Sequence, residues 1–241
     1  MNHWFLAIWL GLEAIRPIPG FAEPFSSITH LAAAGVFGVW GAGLVYKSRS
    51  VAACVFIFSV VFMFSMSGVY HLLPPAGAGR VVLQRLDHTA IFVLIAGTFT
   101  AVHGLLFRGW LRWGAIALLW VIVATAIPLK IVFFDQIGEW LNVTLYIGLG
   151  WVGVFSGIAM VQRYGWRFIG LMVWGGIAYT IGALFEFARW PNPIASVIHA
   201  HEIFHLFVIM GVTCHWLFVS RILACAPEVR ILNRSKHLQD A

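Results

Sequence analysis

Long apolar runs alternate with short polar breaks along almost the whole chain. Seven runs have close to the roughly 20 residues that a bilayer core requires of a helix. They predict membrane-spanning helices over residues 27–46, 51–73, 86–107, 113–133, 142–161, 168–187 and 194–223. The breaks carry charges or helix-stopping residues: Lys47-Ser48-Arg49, Pro74-Pro75, Arg108 and Arg112, Asp135 and Glu139, Arg163 and Arg167, and Trp190-Pro191-Asn192-Pro193. Pro128 predicts a kink near the end of the fourth span. A shorter apolar run over residues 4–12 is closed by Glu13 and by Arg16-Pro17-Ile18-Pro19-Gly20. It lacks the basic start and small-residue cleavage site of a signal peptide. It is read as an interfacial helix with Trp4 and Trp9 at headgroup level. The expected organisation is an interfacial segment over 1–20, a seven-helix domain over 21–225 and a polar tail over 226–241.

Composition sharpens this picture. A mean hydropathy of +0.90, with 61% hydrophobic and only 10% charged residues, excludes a soluble domain of this size. The length of the runs favours an all-α integral membrane protein over a barrel. The net charge of +6 does not point to nucleic acid, because the cations stand in ones and twos between apolar runs. They fit helix ends at anionic lipid surfaces, and membrane lipids are the expected partners. Cys54, Cys214 and Cys225 show neither a pairing pattern nor metal-ligand spacing, and are expected to be buried small apolar residues. No internal repeat suggests a transporter of inverted halves.

The chemistry concentrates at one end of the spans. His201 and His205 stand at i and i+4, so on a helix they share one face, the spacing at which two imidazoles grip one metal ion. The bland alternative is a pair of hydrogen-bonded core histidines. Ionisable groups in a membrane span are costly and by default suggest function. With seven spans, the end of an even span and the start of an odd one share a membrane face. His71 at the end of span two, Asp87 and His88 at the start of span three, and His201 and His205 at the start of span seven therefore converge. Glu23, His30, Lys130 and Glu186 fall at this face too. His71 is the expected third ligand, and Ser67 lies one turn before it. Lys130 is expected to snorkel to the headgroups. His88 and His199 are expected beside the metal or at the interface, and His103 and His215, near the opposite face, to be structural.

The cations sort unequally. The site face carries Arg16, Arg80, Arg85, Lys130 and Arg189. The other face carries Lys47, Arg49, Arg108, Arg112, Arg163, Arg167, Arg221, Arg230, Arg234 and Lys236. The positive-inside rule then makes the second face cytoplasmic, with the C-terminus, and opens the site outward, as in a bacterial inner membrane protein.

Ser67-Gly68-Val69-Tyr70-His71, Arg85-Leu86-Asp87-His88 and His201-Glu202-Ile203-Phe204-His205, in this order, resemble the hemolysin III branch of the progestin and adipoQ receptor family. Ser27-Ile28-Thr29-His30 and the stretch from Gly175 to Ala183 resemble that branch as well, and the likeness covers about residues 22–222. The wider superfamily includes adiponectin receptors and alkaline ceramidases. The resemblance implies zinc held by His71, His201 and His205, with Asp87 near a zinc-bound water and Ser67 beside it. Receptor-type members are thought to place zinc on the cytoplasmic side, opposite to the cation count.

Three functions follow as expectations. The first is a zinc-dependent hydrolase of a lipid amide or ester, with Asp87 as proton acceptor and Ser67 as hydrogen-bond donor to the oxyanion. The second is a receptor or membrane-homeostasis protein with structural zinc, and the third a cytolytic protein. The literal His-Glu-x-x-His also matches helical zinc proteases, in which Glu202 would be the general base, or else merely hydrogen-bonds a neighbour. Glu23 and His30 are candidates to close the site mouth.

Overall fold

A computed structural model of the protein describes residues 14–75 and 77–239. The expected interfacial helix over residues 4–12 lies outside the described residues. Among the described residues eight helices follow: α1 (Pro24–Ser48), α2 (Val51–Leu72), α3 (Ala78–Leu106), α4 (Gly109–Val132), α5 (Glu139–Trp151), α6 (Gly153–Tyr164), α7 (Trp166–Ala188) and α8 (Ala200–Gln239). Helices α5 and α6 form one span, so among the described residues seven segments are long and apolar enough to cross a membrane, and the protein is an all-α integral membrane protein.

The elements depart from the apolar pattern where polar groups find local partners. Helix α3 begins at Ala78, two turns before its apolar run, because Arg80 is held there by Glu23 and by the carbonyl of Leu73. Helix α8 begins at Ala200, not at residue 194. Residues Ile194 and Ile198 close a turn instead, and Asn192 Oδ1 accepts from the Ala200 N–H at 3.0 Å. Its backbone continues through the expected tail to Gln239. The fifth span is interrupted at Val152, beside Gly148, Gly150 and Gly153, where poor helix formers cluster.

Within a bilayer helices associate by close packing rather than by a hydrophobic drive between them. Phe37, Phe56, Phe64, Val212 and Trp216 form the main core, joining α1, α2 and α8, with Ala90 and Leu94 of α3 against them. Two glycines permit the closest approaches. A Cβ at Gly97 would lie 2.0 Å from Ser59 Oγ, and one at Gly175 would lie 2.3 Å from the His215 ring. Trp40, Phe58, Phe155 and Trp174 point outward, where a bilayer meets them. Cys54 is exposed on α2 and Cys214 only partly covered, which corrects the expectation of buried thiols: a small apolar group is tolerated at a lipid-facing position.

Candidate metal centre

Two helices deliver the histidines. His71 occupies the last turn of α2, while His201 and His205 occupy the first two turns of α8. The α8 start is fixed by Glu202, whose Oε2 accepts from the His199 N–H at 2.9 Å. His199 is the residue before the helix and Glu202 its third residue, the reciprocal half of a capping box. Glu202 Oε1 also accepts from the Ser26 hydroxyl at 3.1 Å, tying α1 to α8. Glu202 is 2% exposed and spends both oxygens on these bonds, so it acts as a cap and strut.

The imidazoles meet edge to edge. His201 Nε2 lies 3.3 Å from His71 Nε2 and 3.1 Å from His205 Nε2. One ligand atom from each of the three lies within 4.8 Å of the others, so together they could hold a metal ion. The opposite ring nitrogens are engaged by carboxylates. His71 Nδ1–H donates to Glu23, and His201 Nδ1–H donates to Glu186 Oε1 at 3.2 Å. Such carboxylates orient ligand rings and fix their tautomers. In neutral rings this arrangement turns two Nε2 lone pairs toward each other at 3.3 Å, which is repulsive unless a cation lies between them. The donor set fits a metal.

Glu23 is itself clamped. Arg80 donates to its other oxygen and lies over the Tyr70 ring, 4.5 Å from the centroid. The Glu23 N–H donates to the His71 carbonyl at 3.0 Å, so the segment before α1 is laid along the end of α2. Burial alone would raise the Glu23 pKa. The hydrogen bond from His71 and the charges of His71, Arg80 and His201 outweigh it and hold the carboxyl at about 2.

His30 stacks on His205, with centroids 3.9 Å apart and planes 19° apart, and meets Phe64 edge-on. It is buried behind the ligand ring, whereas Glu23 stands at the His71 edge. Asp87 and Ser67 line a cavity together with His201 and His205. The His88 ring packs on Phe134, with centroids 5.2 Å apart, and lines the same cavity as His201 and His205. The two remote histidines are structural: His103 bonds the Leu111 carbonyl at 2.7 Å and Ser156 at 2.8 Å, and His215 bonds the Met172 carbonyl at 3.2 Å.

A mostly apolar cavity of about 450 Å³ opens beside the histidines, between α3 and the helices α5 to α8. Ser67, Asp87, His201 and His205 line its polar end, and His103 its far end. Asp87 and His103 are 16 residues apart on one helix, so the cavity extends about 24 Å along the bundle.

Two features escape the sequence pattern. Glu186 carries a signal, an acid in an apolar run, but its partner is set by how α7 meets α8. Lys130 lies in the last turn of α4, yet it is 3% exposed and donates to Asn142 Oδ1. That corrects the expectation of a snorkelling lysine, because α5 supplies an acceptor inside.

The family described as "Haemolysin-III related" matches residues 21–216. The chain is similar to "Hemolysin-3" of Bacillus cereus, 29% identical over 164 residues that cover 68% of this chain and 71% of that protein. It is likewise similar to "Hemolysin-3 homolog" of Bacillus subtilis (strain 168), 26% identical over 161 residues that cover 67% and 72%.

Proposed function

From the premise that this chain belongs to the haemolysin-III-related family, we propose that it is a zinc-dependent hydrolase of lipid amides or esters. The observation that carries the reading is the Nε2 triangle set at the end of a long apolar cavity. Tetrahedral zinc with Zn–N bonds of about 2.0–2.1 Å sets neighbouring ligand nitrogens about 3.3 Å apart. The observed 3.1 and 3.3 Å match that edge. Zinc, when bound, supplies a Lewis acid that brings the pKa of water to about 7.

The chain supplies the rest. His71, His201 and His205 hold the ion, and Glu23 and Glu186 keep their ring nitrogens presented. Asp87 is the proton acceptor of the site. The Ser67 hydroxyl, on the same cavity wall, donates to a substrate oxygen. The cavity shelters an apolar chain and excludes water along it.

The cation asymmetry supports an orientation with the C-terminus cytoplasmic and the metal end extracytoplasmic. Zinc and substrate would then reach the site from the outer face. The function is tested by turnover of labelled ceramides and lipid esters by purified protein, with His205→Ala as control. Turnover in wild type and its loss in the variant support the hydrolase. No turnover of any lipid by metal-replete wild type overturns it.

A further inference from the structure

A buried hydroxyl or ring nitrogen in a membrane span costs free energy unless it finds a partner. Two threonines on the cavity wall show the usual solution. Thr98 donates to the Leu94 carbonyl at 2.9 Å, and Thr180 donates to the Gly176 carbonyl at 2.8 Å while accepting from Trp151 Nε1 at 3.1 Å. Tyr179 of α7 and His215 of α8 line the same cavity and differ. The Tyr179 hydroxyl is buried and has no hydrogen-bond partner among the described residues. His215 is 7% exposed and bonds the Met172 carbonyl through Nε2 at 3.2 Å. A carbonyl only accepts, so in the neutral ring Nε2 carries the proton and Nδ1 is a bare acceptor. That acceptor is also buried and without a partner among the described residues.

The two rings are neighbours held in place by the backbone. They meet edge to face, with centroids 5.3 Å apart and planes 74° apart. Each is seated on a glycine of the opposite helix: a Cβ at Gly211 would lie 2.5 Å from the Tyr179 ring, and one at Gly175 would lie 2.3 Å from the His215 ring. The His215 atoms against Gly175 are Cδ2 and Nε2, so Nδ1 stands on the far edge of the ring. Packing this close leaves neither ring free to swing toward a partner in the protein. Tyr179 precedes Glu186 by seven residues on α7, and His215 follows His205 by ten on α8. The pair therefore stands about 10–15 Å from the metal end along the bundle. A donor and an acceptor side by side match one chemical group, a hydroxyl, which accepts from Tyr179 and donates to His215 Nδ1. A ketone serves the tyrosine alone. Water fits less well, because buried waters make about three hydrogen bonds in polar sites and this pair offers two in a mostly apolar cavity.

We propose that Tyr179 and His215 form a hydroxyl-binding site within the cavity, which selects lipids that carry a secondary hydroxyl in the middle of an apolar chain. An extended backbone advances about 3.3–3.6 Å over three bonds, so the pair lies roughly 9–13 bonds along a chain whose head sits at the metal centre. Placing the head there, and calling the lipid a substrate, rests on the hydrolase reading. Recognition of the hydroxyl does not, and binding tests it without turnover.

The test is competition against a fluorescent fatty acid on purified full-length protein in neutral detergent, with octadecanoic acid and its 12-hydroxy, 12-oxo and 2-hydroxy derivatives as competitors. Wild type is expected to prefer the 12-hydroxy acid to the plain acid by roughly tenfold, the scale of satisfying buried polar groups. The 12-oxo acid is expected between them, and the 2-hydroxy acid with the plain one. Tyr179→Phe is expected to lose most of the hydroxyl preference and all of the oxo gain, with thermal stability equal or higher, because it removes a buried hydroxyl without a partner. Both proteins see the same partitioning of each lipid into detergent, so the difference between them isolates the site. Equal affinity for the plain and 12-hydroxy acids in wild type would leave the pair to water and overturn the proposal, and so would an unchanged preference in Tyr179→Phe. An equal gain from the 2-hydroxyl would overturn the placement in mid-chain. Excess chelator is expected to leave the preference intact, and its loss there would assign the hydroxyl to the metal and overturn the Tyr179–His215 site. Absence of turnover with the preference intact would overturn the hydrolase reading alone.

Discussion

His71 and His201 are 130 residues apart in sequence, yet their Nε2 atoms lie 3.3 Å apart, each ring held from behind by a different carboxylate. Glu186 comes from α7, so the presentation of His201 depends on a helix that contributes no imidazole to the triad. Glu186→Gln is expected to weaken metal binding by roughly 10–100-fold, with the fold intact. Competition with a metal chelator measures this, and an unchanged affinity would remove Glu186 from the site's support.

Glu202 stands beside a ligand in sequence but caps the helix that carries it. Glu202→Gln is expected to keep metal content and turnover, since the amide oxygen still accepts one of the two bonds. Glu202→Ala is expected to cost about 1–3 kcal/mol in stability, because the His199 N–H and Ser26 hydroxyl lose their acceptor. Thermal unfolding and turnover of the two variants separate a cap from a general base: loss of turnover in a stable Glu202→Gln protein would restore the protease-like role.

How much of this was legible in the chain follows from what each signal encodes. The spans were readable because a bilayer demands about 20 apolar residues per helix. The convergence of His71, Asp87, His201 and His205 was readable because alternating spans put those ends together. The start of α3 was not, since hydropathy sees a polar stretch and cannot see Arg80 gripping Glu23 and the Leu73 carbonyl. The role of Glu202 was open because His-Glu-x-x-His spacing is the same for a base and for a cap. The burial of Lys130 was hidden because it depends on Asn142, twelve residues on and in another helix.

Asp87→Asn is expected to retain the metal and lose hydrolysis. The amide leaves the three imidazoles in place but cannot take a proton. Metal analysis and turnover on one preparation check both halves, and loss of metal in this variant would make Asp87 a ligand instead.

Orientation is decided by reporters fused after Ala241. Five cations at the metal end against ten at the other predict activity of a reporter that works only in the cytoplasm. Activity of a reporter that works only outside would reverse the orientation and leave the metal centre unaffected.

The most direct measurement for the account as a whole is metal analysis of wild type and His71→Ala, each purified without chelator. The Nε2 triangle predicts about one zinc per wild-type chain and a large loss in the variant, because two histidines of one helix make a poor site alone. Equal zinc in the two proteins, or none in a folded wild type supplied with zinc, would contradict a zinc centre built on His71, His201 and His205.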